Sequence, residues 1–194
     1  MDGLLKSFFE ALADFELLKP QINKSTTYKH WVSIKDFRRC IDCKTLHGKI
    51  WLLSEAPDEK LPQHFNCRCN IECMNAITAG TATVDYENGA DWYIKNHGTL
   101  PEYYISYADA KKQGWNKGKT LSDFVTGKMI YNGIYNNING HLPASENRVW
   151  YEADINYKTG KRNSQRIFWS NDGLIFVTYD HYDTFYESYK ETGL

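Results

Sequence analysis

The sequence predicts an α+β fold: N-terminal helices packed on a C-terminal antiparallel sheet over residues 85–194, preceded by a small Cys-rich segment. Three observations predict it. Helical spacing with glycine stops occupies residues 91–124, and from Lys128 onward short apolar runs alternate with Gly and Asn turns. All five cysteines lie between Cys40 and Cys73. Helices segregated ahead of strands are the order of an α+β domain rather than of alternating βαβ units.

Leu4, Leu5, Phe8, Phe9, Leu12 and Phe15 recur at helical spacing and stop before Pro20, which predicts an amphipathic helix. With little core nearby, the helix is expected to dock on a larger assembly, or the chain begins within a longer parent protein. Next come Cys40-Ile41-Asp42-Cys43, Leu46-His47-Gly48 and Pro62-Gln63-His64-Phe65-Asn66-Cys67-Arg68-Cys69. A Cys-x-x-Cys followed by His-x-x-Cys-x-Cys supplies the ligand types and number of a closed tetrahedral zinc site: Cys40, Cys43, His64 and one of Cys67 or Cys69. The alternative is a set of reduced thiols holding no metal. An odd number of closely spaced cysteines is a poor disulfide framework. A segment this short has little apolar area, so a metal would supply stabilisation that its core lacks.

Ile77 to Thr83 is small and uncharged and reads as a linker, which divides the chain into 1–76, 77–84 and 85–194. Asp91 to His97, closed by Gly98, is a short helix; Tyr107 to Trp115, with its Gly114 stop, is a second; Leu121 to Phe124 is a third. The strand Trp150 to Tyr157 alternates, with Trp150, Glu152, Asp154 and Asn156 on one face and Tyr151, Ala153, Ile155 and Tyr157 on the other. A three-residue hairpin loop at Lys158-Thr159-Gly160 places Arg166 opposite Glu152 and Arg162 opposite Asn156. A four-residue reversal at Ser170 to Gly173 pairs Trp169 with Leu174 and brings His181 opposite Arg162. One face then carries Glu, Arg, Arg and His.

Those groups match the demands of cutting RNA without a metal. A base must take the ribose 2′-hydroxyl proton, an acid must protonate the departing 5′ oxygen, and cations must surround the phosphorus. Glu152, His181 and the pair Arg162 and Arg166 meet these in turn; the planar guanidinium fork suits phosphate oxygens. A 2′,3′-cyclic phosphate is the expected first product, so DNA is excluded. Taken singly, a strand Glu facing an Arg is a surface ion pair and a lone His is structural; the convergence of four groups is what favours chemistry. No cofactor is needed.

Aromatics make up 15% of the chain, with 14 Tyr and 6 Trp, enough for a core and for base-stacking surfaces. The net charge of -1 means that nucleic-acid contact must rest on a local patch, since residues 85–194 carry 12 basic against 14 acidic residues. Met1 to Pro20 is interrupted by Asp2, Glu10, Asp14 and Glu16 and lacks the basic start of a signal peptide, and no segment has the apolar length of a membrane span.

Two resemblances follow from these motifs. Cys40 to Cys43, Leu46-His47-Gly48 and Pro62-x-His64-x-x-Cys67-Arg68-Cys69 resemble the Cys-rich tail of the phage Mu F-like minor head proteins. That implies a phage or prophage setting, with head proteins as partners. Leu100-Pro101, Gly114-Trp115, Arg148-x-Trp150-x-Glu152-Ala153-Asp154-Ile155-Asn156-Tyr157, Gly160-x-Arg162-Asn163-Ser164-x-Arg166 and Asp180-His181-Tyr182-x-Thr184-Phe185 resemble the barnase family of bacterial ribonucleases. The resemblance implies Glu152 as general base, His181 as general acid, Arg162 and Arg166 on phosphate, and Tyr135 and Tyr182 as stacking rings. It places a base-recognition loop at Asn136-Asn137-Ile138-Asn139-Gly140.

The pattern departs from that family at Tyr107, where a lysine is usual, at Gly133 for an aspartate, and at Asn139 for the loop carboxylate. These changes imply altered base preference and slower turnover. The family also implies an inhibitor of the barstar type or another immunity protein, and action in the bacterial cytoplasm.

Overall fold

The computed structural model describes residues 22–189; the helix expected over residues 4–15 lies outside them. Among the described residues nine strands form one sheet in the order β2-β1-β3-β9-β8-β7-β6-β5-β4. They are β1 (Ile22–Val32), β2 (Ile50–Leu52), β3 (Asn70–Thr78), β4 (Tyr104–Ser106), β5 (Met129–Tyr135), β6 (Trp150–Asp154), β7 (Arg166–Ser170), β8 (Ile175–Thr178) and β9 (Tyr186–Tyr189). The helices are α1 (Ile41–Leu46), α2 (Ala90–His97) and α3 (Tyr107–Lys112), with single 3₁₀ turns at Tyr86–Asn88 and Leu121–Asp123. Gly98 ends α2 in the left-handed conformation, its N–H bonded to the Ile94 carbonyl, which is the stop its sequence predicts.

The sheet is mixed rather than purely antiparallel, because β3 runs parallel to β9 and β4 parallel to β5. The first of these pairings also joins the Cys-rich segment to the rest. Strand β3 crosses the expected boundary at residue 77, and Ala76, Ile77 and Thr78 pair with Glu187, Ser188 and Tyr189. Residues 77–84 are packed instead of loose. Asp91 accepts from Gly80 N at 2.6 Å, Ala82 N at 3.0 Å and the Thr83 hydroxyl at 2.9 Å, fastening this turn to α2. Glycine is required at one point of this turn. A Cβ on Gly80 would sit 3.1 Å from the Trp92 ring, at a φ of 91° that L-residues rarely adopt.

One face of the sheet buries Ala153, Ile155, Ile167, Ile175 and Val177 against Ala90 and Ile94 of α2. Trp115, Leu121, Val125, Ile130 and Tyr157 form a second cluster around α3. The opposite face carries Trp150, Phe168 and Phe176, and these are covered by Tyr28, Ile50 and Met74 of the N-terminal strands together with Leu142 and Phe185. The face expected to carry Glu152 and the arginines is therefore half core. Burying it against the first three strands extends the hydrophobic interior, the main favourable contribution to folding.

Candidate active site

The site is built where β6 and β7 leave the ladder. Their register pairs Asp154 with Arg166 and Glu152 with Phe168, two residues from the register that a tight hairpin at Lys158 to Gly160 would impose. The reason is local. Asn156 adopts φ 57°, its amide bonds Val84 N and the Gln165 side chain, and Tyr157 turns into the α3 cluster. Residues 155–165 thus form a long loop. An even shift preserves the face of every side chain, so Arg166 still reaches Glu152 diagonally, its Nε 3.3 Å from Oε1.

The β7–β8 register differs by one residue: Trp169 pairs with Ile175, not Leu174. By alternation alone that slip would turn His181 to the wrong face, but β8 ends at Thr178. Asp180 accepts from the Thr178 hydroxyl at 2.9 Å and from Thr184 N at 2.8 Å, which closes a turn. His181 and Tyr182 in that turn both hold positive φ, 61° and 69°. Consecutive left-handed non-glycine residues are costly and persist only where their surroundings impose them, a pattern concentrated at functional sites. His181 consequently arrives from a turn rather than opposite Arg162.

Glu152, 9% exposed, accepts through Oε1 from the Tyr182 hydroxyl at 2.8 Å and from Asn132 Nδ2 at 3.0 Å. Asp154 is fully buried and receives Arg162 in a fork, Nε at 2.6 Å and Nη2 at 2.5 Å. Arg166 Nε also lies 3.2 Å from Asp154, without hydrogen-bond alignment to either carboxylate, so its pairing is Coulombic and shared. Its Nη1 donates to the carbonyls of Asn163 and Gln165 at 2.8 and 2.7 Å. Two carboxylates and two guanidinium groups thus balance one another under cover, as buried charges must.

Asn132 was not legible in the sequence. It is the extra residue of a bulge in β5, since Tyr131 pairs with Ala153 while Gly133 pairs with Glu152. The bulge, with Gly133 at φ 87°, re-aims Asn132 so that it donates to Glu152 and accepts from Arg162 at 2.8 Å. An Asn-Gly pair inside a strand pattern was the available signal.

Two cavities flank the His181-Tyr182 turn. One, of about 380 Å³, is lined by His181, Arg162, Arg166, Lys117, Lys119 and Lys161 among others. The other, of about 390 Å³, is lined by Tyr135, Asn136, Asn137, Ile138, Asn139 and Tyr182. Tyr135 and Tyr182 stand parallel, with centroids 6.2 Å apart. Burial, and then the Glu152 carboxylate to which it donates, raise the Tyr182 phenol above its ordinary range, so it stays a donor. Asn137 does not present its side chain to a ligand: its amide is spent on the backbone N and O of Leu142, closing the loop. Asn136, Ile138 and Asn139 are exposed in that cavity. Tyr107 packs edge-on against Trp115 and supplies no cation.

The cysteines of the N-terminal segment gather in two triads that share Cys43: Cys40, Cys43 and His64, and Cys43, Cys67 and Cys69. Among the described residues no helix is long and apolar enough to cross a membrane.

Comparison with known proteins agrees with this layout. Residues 12–72 match the model of the phage Mu protein F like proteins. Over 105 residues the chain is 39% identical to a ribonuclease of Heyndrickxia coagulans, covering 54% of this chain and 96% of that protein. Over 125 residues it is 39% identical to a ribonuclease of Bacillus pumilus, covering 64% and 76%. The ribonuclease family model matches residues 76–189, and the chain, an endoribonuclease behind a phage Mu F-like segment, belongs to that family.

Proposed function

We propose that residues 85–194 are a metal-independent endoribonuclease toxin acting on single-stranded RNA, carried behind the head-protein-like residues 1–76 and joined to them through 77–84. Glu152 takes the proton of the 2′-hydroxyl as that oxygen attacks phosphorus, and His181 protonates the 5′ oxygen as the P–O5′ bond breaks. The 2′,3′-cyclic phosphate is then opened by water, His181 now accepting a proton and Glu152 returning one. Arg162 and Arg166 stabilise the charge on the phosphoryl oxygens; Tyr135 and Tyr182 stack the base; Asn136 and Asn139 meet its edge. The observation that carries this reading is the joining of Glu152 to Arg166 beside a cavity that His181, Arg162 and Arg166 line together. An endoribonuclease in the cytoplasm of a bacterium requires a matching immunity protein, of the barstar type or another; phage head proteins are the partners of the N-terminal part.

A second reading, a catalytically weak RNA- or protein-binding module of a phage head protein, is favoured by Tyr107, which packs on Trp115 where the family resemblance implies a lysine. Labelled RNA incubated in EDTA with the wild type, Glu152→Ala and His181→Ala separates the two. The nuclease reading expects a cyclic-phosphate end from the wild type and a loss of at least a hundredfold from each variant. Cleavage that survives both substitutions, or that starts only on adding a divalent ion, refutes it.

A further inference from the structure

A run of contacts links the Cys cluster to the loops around the candidate ribonuclease site. A zinc ion held by thiolates at about 2.3 Å and imidazole at about 2.0 Å sets tetrahedral edges of about 3.8 Å between sulfurs and about 3.5 Å between sulfur and nitrogen. Cys43 and Cys67 Sγ lie 3.8 Å apart, and His64 Nε2 is 3.1 Å from Cys40 Sγ and 3.2 Å from Cys43 Sγ. His64 Nδ1 stands 2.8 Å from the Phe65 carbonyl, so that nitrogen carries the proton and Nε2 turns its lone pair to the thiols. Cys43 N donates to Cys40 Sγ, which caps α1.

From α1 the chain runs straight to the two loops of the site. His47 Nδ1 accepts from Ser33 N at 3.0 Å, Gly48 N donates to Trp31 O at 2.9 Å, and Ile50 N donates to the His141 carbonyl at 3.0 Å. Lys49 lies beside Gly140 at the end of the base loop. Lys35 pairs with Asp183, two residues beyond His181. His141 packs edge-on against Phe185, so the base loop and the His181 turn rest on each other as well as on this arm.

We propose that Cys40, Cys43, His64 and Cys67 bind one zinc ion, and that the ion holds the α1–β2 arm as a brace for the base loop (136–142) and the His181 turn (180–185). Cys69 also lies within 4.8 Å of Cys43 and Cys67; the fourth place is assigned to Cys67 on its 3.8 Å spacing from Cys43, the edge a tetrahedral thiolate pair requires. The brace deepens the ribonuclease reading and rests on it for its effect on rate, but the binding and exchange arms of the test do not depend on activity.

The full chain, purified under reducing conditions, is expected to carry about one zinc, measured by inductively coupled plasma mass spectrometry. Cobalt substituted for zinc should give the intense thiolate charge-transfer band of a tetrahedral site. Cys67→Ser should weaken zinc binding by at least tenfold and Cys69→Ser should leave it intact. Stripping the zinc with a chelator should raise amide hydrogen exchange in 136–142 and 180–185 at least tenfold, while β6–β8 stay protected, and should lower RNA cleavage by about tenfold. Lys35→Ala, with zinc still bound, should raise exchange in 180–185 alone. Absence of zinc and of the cobalt band, or Cys69→Ser acting as Cys67→Ser should, overturns the ligand set. Exchange unchanged in both loops, or raised equally through β6–β8, overturns the brace. A wild type that never cuts RNA yet shows the exchange pattern sinks the nuclease reading and leaves the brace standing.

Discussion

Replacing Asp154 by alanine removes the group that both arginines share. Asp154 is fully buried, Arg162 and Arg166 side chains are 16% and 7% exposed, and the variant would leave two covered guanidinium groups with Glu152 as their one carboxylate. Breaking a buried pair by deleting one partner costs about 3–5 kcal/mol, because the remaining charge is desolvated without compensation. At about 2–4 °C per kcal/mol for a chain of this size, the melting temperature should fall by about 6–20 °C. The sign of a second effect is more telling. A phosphate or a mononucleotide can take the place of the carboxylate between the arginines, so added nucleotide should stabilise Asp154→Ala by more than it stabilises the wild type. Asp154→Asn, which keeps an acceptor but not the charge, should fall between the two. Urea denaturation and thermal melts with and without a 3′-mononucleotide provide the measurement. A melting temperature within about 2 °C of wild type, or equal stabilisation of both proteins by nucleotide, would refute the shared-carboxylate account.

Three further outcomes are expected. Asn132→Ala deletes a bond to Glu152 and one to Arg162 and should lower kcat by about 10–100-fold with little change in KM, costing about 2 kcal/mol of stability; steady-state kinetics showing a change in KM alone would count against its positioning role. Burial, followed by the nearby Lys35, pushes His47 down to about 4, and its Nδ1 must stay unprotonated to accept from Ser33 N. With the folded value below the unfolded one, His47's contribution is complete above about pH 6.5 and lost as the pH falls toward about 4, an effect of about 1–2 kcal/mol after allowance for partial exposure. Urea titrations at the two ends of that window should show His47→Gln less acid-sensitive than wild type; equal acid loss in both would exclude His47 as the cause. Asn139→Glu puts a charged acceptor pair in the base cavity and should raise the preference for guanine over adenine in dinucleotide cleavage by about 5–10-fold, whereas an unchanged ratio would mean the base is not read at Asn139.

Much of the C-terminal half was legible because its signals are local. The Gly98 and Gly114 stops and the alternation of Trp150 to Asp154 each depend on a few neighbouring residues. The proximity of Glu152 and Arg166 was legible for the same reason and because an even register shift does not move a side chain across the sheet. Asn132 escaped because its direction is set by a bulge, and His181 reaches the site through a turn whose handedness Asp180 enforces. The strand Ile22–Val32 and the continuity of β3 with β9 escaped for another reason. Their partners are not sequence neighbours: Ile22 pairs with Ile77 and Ala76 with Glu187, and their sequences alternate weakly because both faces are only partly covered. What the sequence by itself determined was the inventory of candidate groups and the sheet face of Glu152, Asp154 and Arg166; what only the tertiary structure decided was which backbone edges meet and how His181 is delivered. Alternation and turn chemistry are properties of adjacent residues, whereas strand pairing across the sheet is settled by the burial that the whole chain can achieve at once.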